Sequence, residues 1–130
     1  MDTTRLWLFL PLGYLLTVAV ETPVLLLFLS PRHPTPRRLF AGLWLTACTY
    51  PVVVLVLPVL LEGAPRAVYL LAAELFAPAA ECLLFRAAFG PGEAARRSPM
   101  WRDFAAITAA NLASFAAGEL LSARGLFAAL

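Results

Sequence analysis

The chain contains no lysine; all ten of its basic residues are arginine. With eight acidic residues the net charge is only +2. No basic stripe with interleaved aromatics is present, so a nucleic-acid-binding surface has no support. Charged residues make up 14% of the chain, against roughly 25% in ordinary soluble domains. At 62% hydrophobic residues and a mean hydropathy of +0.82, the chain lacks the polar surface that a water-soluble fold needs. It is expected to live in a membrane.

Cysteine and histidine are nearly as scarce. Cys48 and Cys82 are the two cysteines, and without a C-x-x-C pair thiol–disulfide relay chemistry is excluded. Both fall in apolar runs at similar depth and are expected to be free, buried thiols, inert as a rule. His33 is the single histidine, which excludes a multi-histidine metal site within one chain. It sits among prolines and arginines and is expected to be a solvated link residue. No G-x-S-x-G, H-E-x-x-H or D-x-D pattern occurs, and no cofactor is expected.

What the chain has in abundance is long apolar runs. Four are long enough to cross a bilayer core of about 30 Å, which takes roughly 20 helical residues: 6–29, 39–61, 67–89 and 104–123. Backbone groups in lipid must be satisfied internally, so the runs predict helices. Short links make neighbours antiparallel. The expected fold is all-α, an integral membrane four-helix bundle forming a single transmembrane domain over residues 1–130. Residues around Thr17-Val18-Ala19 resemble a cleavage site after a signal peptide. The apolar run continues to Leu29, however, and a retained helix is expected.

Arginine counts predict the orientation, because cytoplasmic links carry the excess. Arg32, Arg37, Arg38, Arg96, Arg97 and Arg102 lie in the first and third links, against Arg5, Arg66 and Arg124 opposite. Links 30–38 and 90–103 are therefore expected in the cytoplasm and both termini outside, in a bacterial inner (plasma) membrane. A faint internal repeat accompanies this. Glu21 and Glu81 each precede a link-opening proline by the same interval, and Arg38-Leu39-Phe40-Ala41 resembles Arg102-Asp103-Phe104-Ala105.

The apolar runs are interrupted by acids. Glu74 and Glu81 lie two turns apart on one helix face, about 10 Å along the axis. Glu21 falls near the depth of Glu81, and Glu119 near that of Glu74. Thr46, Thr49 and Tyr50 fall in the middle of the second helix, Asn111 and Ser114 in the middle of the fourth. A charge near the bilayer centre costs at least roughly 2.5–3.5 kcal/mol. These groups are therefore expected to converge on a shared interior or an interface between protomers. Pro23, Pro51 and Pro78 each remove a helical donor beside them, as in the broken helices that expose carbonyls in many transporters. The sequence-level site is Glu21, Glu74, Glu81, Asn111 and Glu119 for protons or ions, with Thr46, Thr49 and Tyr50 as polar lining. The bland alternative is that protonated carboxyls only bond helices together, at an average of about 0.6 kcal/mol per bond.

On the fourth helix two rows of small residues run side by side: Ala105, Ala109, Ala113 and Ala117, then Ala106, Ala110, Ser114 and Gly118. Small residues at this spacing permit close helix approach. Ala109, Ala113, Ser114, Ala117 and Gly118 are accordingly expected to pack helices. Three function classes follow. The first is proton- or cation-handling transport, channel-like, in a homo-oligomer. The second is an accessory subunit of a larger membrane complex, which predicts co-purification with one specific partner. The third, an intramembrane enzyme acting on a lipid, ranks last because the links leave no substrate domain.

Overall fold

The computed structural model describes residues 3–90 and 100–125. It is all-helical. Helix α1 spans Thr3–Phe28, α2 spans Thr35–Leu60, α3 spans Arg66–Phe89 and α4 spans Met100–Ala123. All four are long and apolar enough to cross a membrane. They form an up–down ring in which α1 packs on α2 and α4, and α3 packs on α2 and α4. Large apolar side chains such as Leu8, Leu27, Val59, Leu71, Leu83 and Trp101 face outward around the ring. In water that surface would be costly; in lipid it is the matched one.

Two close approaches set the α1–α2 crossing. At Gly42 a Cβ would fall 3.2 Å from the Thr22 backbone, and at Gly13 it would collide with the Tyr50 hydroxyl. Neither glycine stood out in the sequence, because its significance lies on the neighbouring helix. The expected packing residues on α4 stand differently within the bundle. Ala105 and Ala109 are exposed, while Ala106, Ala110 and Asn111 are buried. Ala113, Ser114, Ala117 and Gly118 are half-buried. At Gly118 an added Cβ would meet nothing within 4 Å, so no close approach requires that glycine.

α2 carries Pro51 and Pro58, and between them the chain opens into a π-helical turn, Val52–Val56. The Leu57 N–H bonds back to the Val52 carbonyl, bypassing Val53. The next donor along would be residue 58, a proline without an N–H. The Tyr69 hydroxyl of α3 fills this gap, donating to the Val53 carbonyl at 3.0 Å. Such π-turns occur frequently at functional sites.

The ring is filled unevenly. Leu25, Leu29, Ala41, Leu45, Phe85, Ala106, Ile107 and Ala110 form one buried cluster. All lie in the half toward the arginine-rich first link. The half toward the termini encloses a cavity.

The faint repeat has a structural counterpart. Gly13, Glu21 and Leu25 are buried on α1, as are Ala73, Glu81 and Phe85 on α3. Ala41, Gly42, Leu45 and Thr46 are buried on α2, as are Ala106, Ile107, Ala110 and Asn111 on α4. This pairing matches Ala41 to Ala106, not to Ala105, so the Arg38–Ala41 likeness is one residue out of structural register.

Candidate functional site

At the floor of the cavity, two carboxyl groups are held by donors from both neighbouring helices. Glu21 of α1 receives Thr46 Oγ1 of α2 at 2.8 Å and Ser114 Oγ of α4 at 2.7 Å. Glu81 of α3 receives Thr49 Oγ1 of α2 at 2.6 Å and Asn111 Nδ2 of α4 at 2.7 Å. The reciprocity comes from helix geometry. Thr46 and Thr49 stand one turn apart, as do Asn111 and Ser114, so each pair shares a face. Glu21 and Glu81 are both 2% exposed.

The hydroxyls here have a choice of acceptor. Thr46 Oγ1 also lies 2.8 Å from the Gly42 carbonyl, Thr49 Oγ1 3.0 Å from the Leu45 carbonyl, and Ser114 Oγ 3.0 Å from the Asn111 carbonyl. A hydroxyl has one hydrogen to donate. When the carboxyls are ionised, Thr46 and Ser114 turn to Glu21 and Thr49 turns to Glu81. When a carboxyl carries a proton, that proton goes to a threonine oxygen, and the threonine hydrogen turns back to its helix carbonyl. Both protonation states are thus fully bonded, and no heavy atom has to move.

The cavity measures about 320 Å³ and runs from exposed Ser122 and Glu119 down to Glu21 and Glu81. Tyr50, Tyr69, Phe9, Phe115 and Glu74 line it. Five expected ion-site residues, Glu21, Glu74, Glu81, Asn111 and Glu119, do line one space, as do Thr46, Thr49 and Tyr50. They do not stand alike in it. Glu119 is bound at the rim by both carboxylate oxygens to Arg66, at 2.8 and 2.9 Å, and does not pair with Glu74 as a second free acid. Glu74 Oε2 is buried with no hydrogen-bond partner among the described residues. Among those residues no group of three or more His, Cys, Asp or Glu side chains converges to hold a metal ion.

The opposite end of the bundle holds a second polar cluster, of which sequence reasoning singles out only His33. His33 was expected in solvent, yet it is 2% exposed and packs edge-on to Phe85 at 4.9 Å. Asp103, in the first turn of α4, is fully buried. It accepts the Ser30 N–H at 2.8 Å, the Ser30 hydroxyl at 3.2 Å, an Arg32 guanidinium N–H at 3.4 Å and His33 Nε2 at 3.1 Å. A carboxylate only accepts, so Nε2 donates to Asp103 when it carries the ring hydrogen; the Arg32 Nε–H also points at Nε2, at 3.2 Å, and Nδ1 faces the Arg37 guanidinium at 3.5 Å.

The first-link arginines serve more than topology. Arg38 donates to the carbonyls of Leu26, Ser30 and His33, and Arg102 donates to Phe28 at 3.1 Å. The bonds to Leu26 and Phe28 satisfy two of the orphan carbonyls in the last turn of α1. Arg32 reaches the Phe89 carbonyl at the end of α3. Arg96 and Arg97 lie outside the described residues. Both cysteines are free thiols, but the expected burial is corrected: Cys48 is exposed, on the outward face of α2, and Cys82 is half-buried.

Burial pushes His33 below the usual imidazole range, and the Arg32 and Arg37 charges act in the same sense, against the pull of Asp103. The unfolded chain therefore takes up a proton first as pH falls through about 6.5. Stability contributed here is full above that pH and is lost toward the lower folded-state value. We expect the melting temperature in detergent to fall between pH 7.5 and 5.5 by more in the wild type than in His33→Gln, whose amide keeps a donor for Asp103. Equal falls in both proteins would show that His33 does not titrate on unfolding.

In comparisons with known protein families, curated proteins and solved structures, the chain matches none.

Proposed function

We propose that this protein handles protons or small cations within the membrane, with Glu21 and Glu81 as paired proton-holding groups. The observation that carries this reading is the bonding of each carboxyl to threonine, serine or asparagine donors that suit it charged or neutral. A group that only glued helices would need one protonation state. The cavity gives access from the terminal end, while the apolar cluster closes the other half. This is the arrangement of a carrier open on one side, in which passage requires the arginine-rich end to open. The test is proton flux into liposomes under an imposed gradient. Wild-type flux should fall to the level of empty liposomes in the Glu21→Gln, Glu74→Gln, Glu81→Gln triple variant; equal flux in both would sink the reading.

The arginine surplus supports placing links 30–38 and 90–103 in the cytoplasm of a bacterial cell and both termini outside. In a Cys48→Ala, Cys82→Ala background, Ser98→Cys should then escape membrane-impermeant thiol reagents applied to intact cells. Labelling from outside would reverse the orientation.

A second reading, an accessory subunit of a larger membrane complex or homo-oligomer, is favoured by one observation. Ala105 and Ala109 form a small-residue row that faces away from the bundle, available to another helix. It predicts co-purification of one specific membrane partner after mild solubilisation; isolation as a solitary monomer would count against it.

A further inference from the structure

We propose that the cavity binds a small organic cation, an ammonium group on an apolar body, with Glu74 as its counter-charge. This deepens the proton- and cation-handling reading above and rests on it.

The space is too large to be a path for protons alone. About 320 Å³ would hold about ten waters at roughly 30 Å³ each, and it reaches the lower range of small-molecule pockets, about 300–1,000 Å³. It is unsuited to a bare metal ion. Among the described residues the carboxyls never converge in threes, whereas hard cations take several oxygens at close range. The walls instead offer aromatic rings: Phe9, Tyr50, Tyr69 and Phe115. A cation is attracted to aromatic faces, and quaternary and protonated amines are recognised this way.

Charge selects the sign of the ligand and the anchoring residue. Four carboxyls line the cavity and no arginine does, so an anion is excluded. Of the four, Glu119 is offset by Arg66, and Glu21 and Glu81 each have two donors from α2 and α4. Glu74 differs. Its Oε2 is shut off from solvent and unbonded among the described residues, and a buried acceptor without a donor is costly. A turn of the Glu74 carboxyl about its terminal bond brings that oxygen into the cavity the residue lines, where an ammonium N–H supplies the donor and the apolar body lies among the rings. The carboxyls thus divide their work: Glu74 holds the ligand, and Glu21 and Glu81 hold protons beneath it.

The test is calorimetric titration of purified protein in nanodiscs of zwitterionic lipid. The probes are benzylammonium, benzyl alcohol and benzoate, which share one ring and differ in charge. Benzylammonium should bind at least about tenfold more tightly than either of the others. Glu74→Gln should weaken benzylammonium by about tenfold or more and leave benzyl alcohol unchanged. Phe115→Leu should weaken benzylammonium while keeping Glu74. An unchanged wild-type melting temperature shows that each variant is folded. Equal binding of the three probes, no binding of benzylammonium, or full affinity in Glu74→Gln would each overturn the site. The measurement needs no gradient, so it separates from the flux assay. Flux without benzylammonium binding overturns the organic-cation site alone; binding without flux keeps the site and overturns transport.

Discussion

Replacing Asp103 by alanine is expected to destabilise the protein by about 3–5 kcal/mol, the range for removing one partner of a buried charged network. The fully buried carboxylate accepts from the Ser30 backbone and hydroxyl, Arg32 and His33. Its loss leaves the Ser30 N–H buried without its acceptor and Arg32 without its counter-charge, with the His33 ring facing two guanidinium groups. The link between α1 and α2 then loses these bonds to α4, while Arg102 still holds the Phe28 carbonyl at the end of α1. Asp103→Asn should cost less, because its amide oxygen still accepts from the Ser30 backbone. Thermal unfolding in detergent would read these effects as a fall on the order of 10 °C for alanine, with asparagine between it and wild type. An Asp103→Ala protein melting with the wild type would show that the cluster is not a fastening.

Glu81→Gln is expected to separate activity from stability. Glutamine keeps the shape and the oxygen that accepts from Asn111 or Thr49. Thr49 also retains the Leu45 carbonyl as an alternative acceptor. The lost bond should therefore cost on the order of 0.6 kcal/mol, the average for a polar bond between membrane helices. The exchangeable proton, in contrast, is gone completely. Proton flux should fall by about tenfold or more while the melting temperature stays near wild type. Thr49→Ala should retain part of the flux, because the carboxyl and its Asn111 donor remain. Wild-type flux in Glu81→Gln would remove this residue from the proton-holding pair. A large loss of stability would instead make Glu81 a helix fastening.

The residues of the candidate site were legible in the sequence because polarity is conspicuous against apolar runs. Glu21, Glu74, Glu81 and Asn111 could be picked out without a structure, and helical rise placed them at compatible depths. Their differences could not be seen. Whether a glutamate has two donors, an arginine or none depends on the rotation of the neighbouring helices. On α4 such a rotation turns Ala106 and Ala110 inward and Ala105 and Ala109 outward. Asp103 and Ser30 were missed for another reason. They lie far apart in the chain, and only the bundle's closure brings them into contact. The one signal was an acid in the first turn of α4, where negative charge favours the helix N-terminus. His33 was misread because prolines and arginines around it suggest a wet link. Here those arginines turn inward to the carbonyls that end α1, and the histidine is carried in with them.

The sequence by itself determined an all-helical chain with four spans that match a bilayer, because run length and hydropathy are local properties measured against a fixed thickness. It also determined that acids lie within those spans. The tertiary structure decided that one half of the bundle is packed and the other hollow. It decided, too, that Glu21 and Glu81 are bonded in reciprocal pairs while Glu74 Oε2 has no donor among the described residues. Those outcomes depend on the azimuth and crossing of each helix, which Gly13, Gly42 and the π-turn after Pro51 help to set through contacts that no single segment encodes.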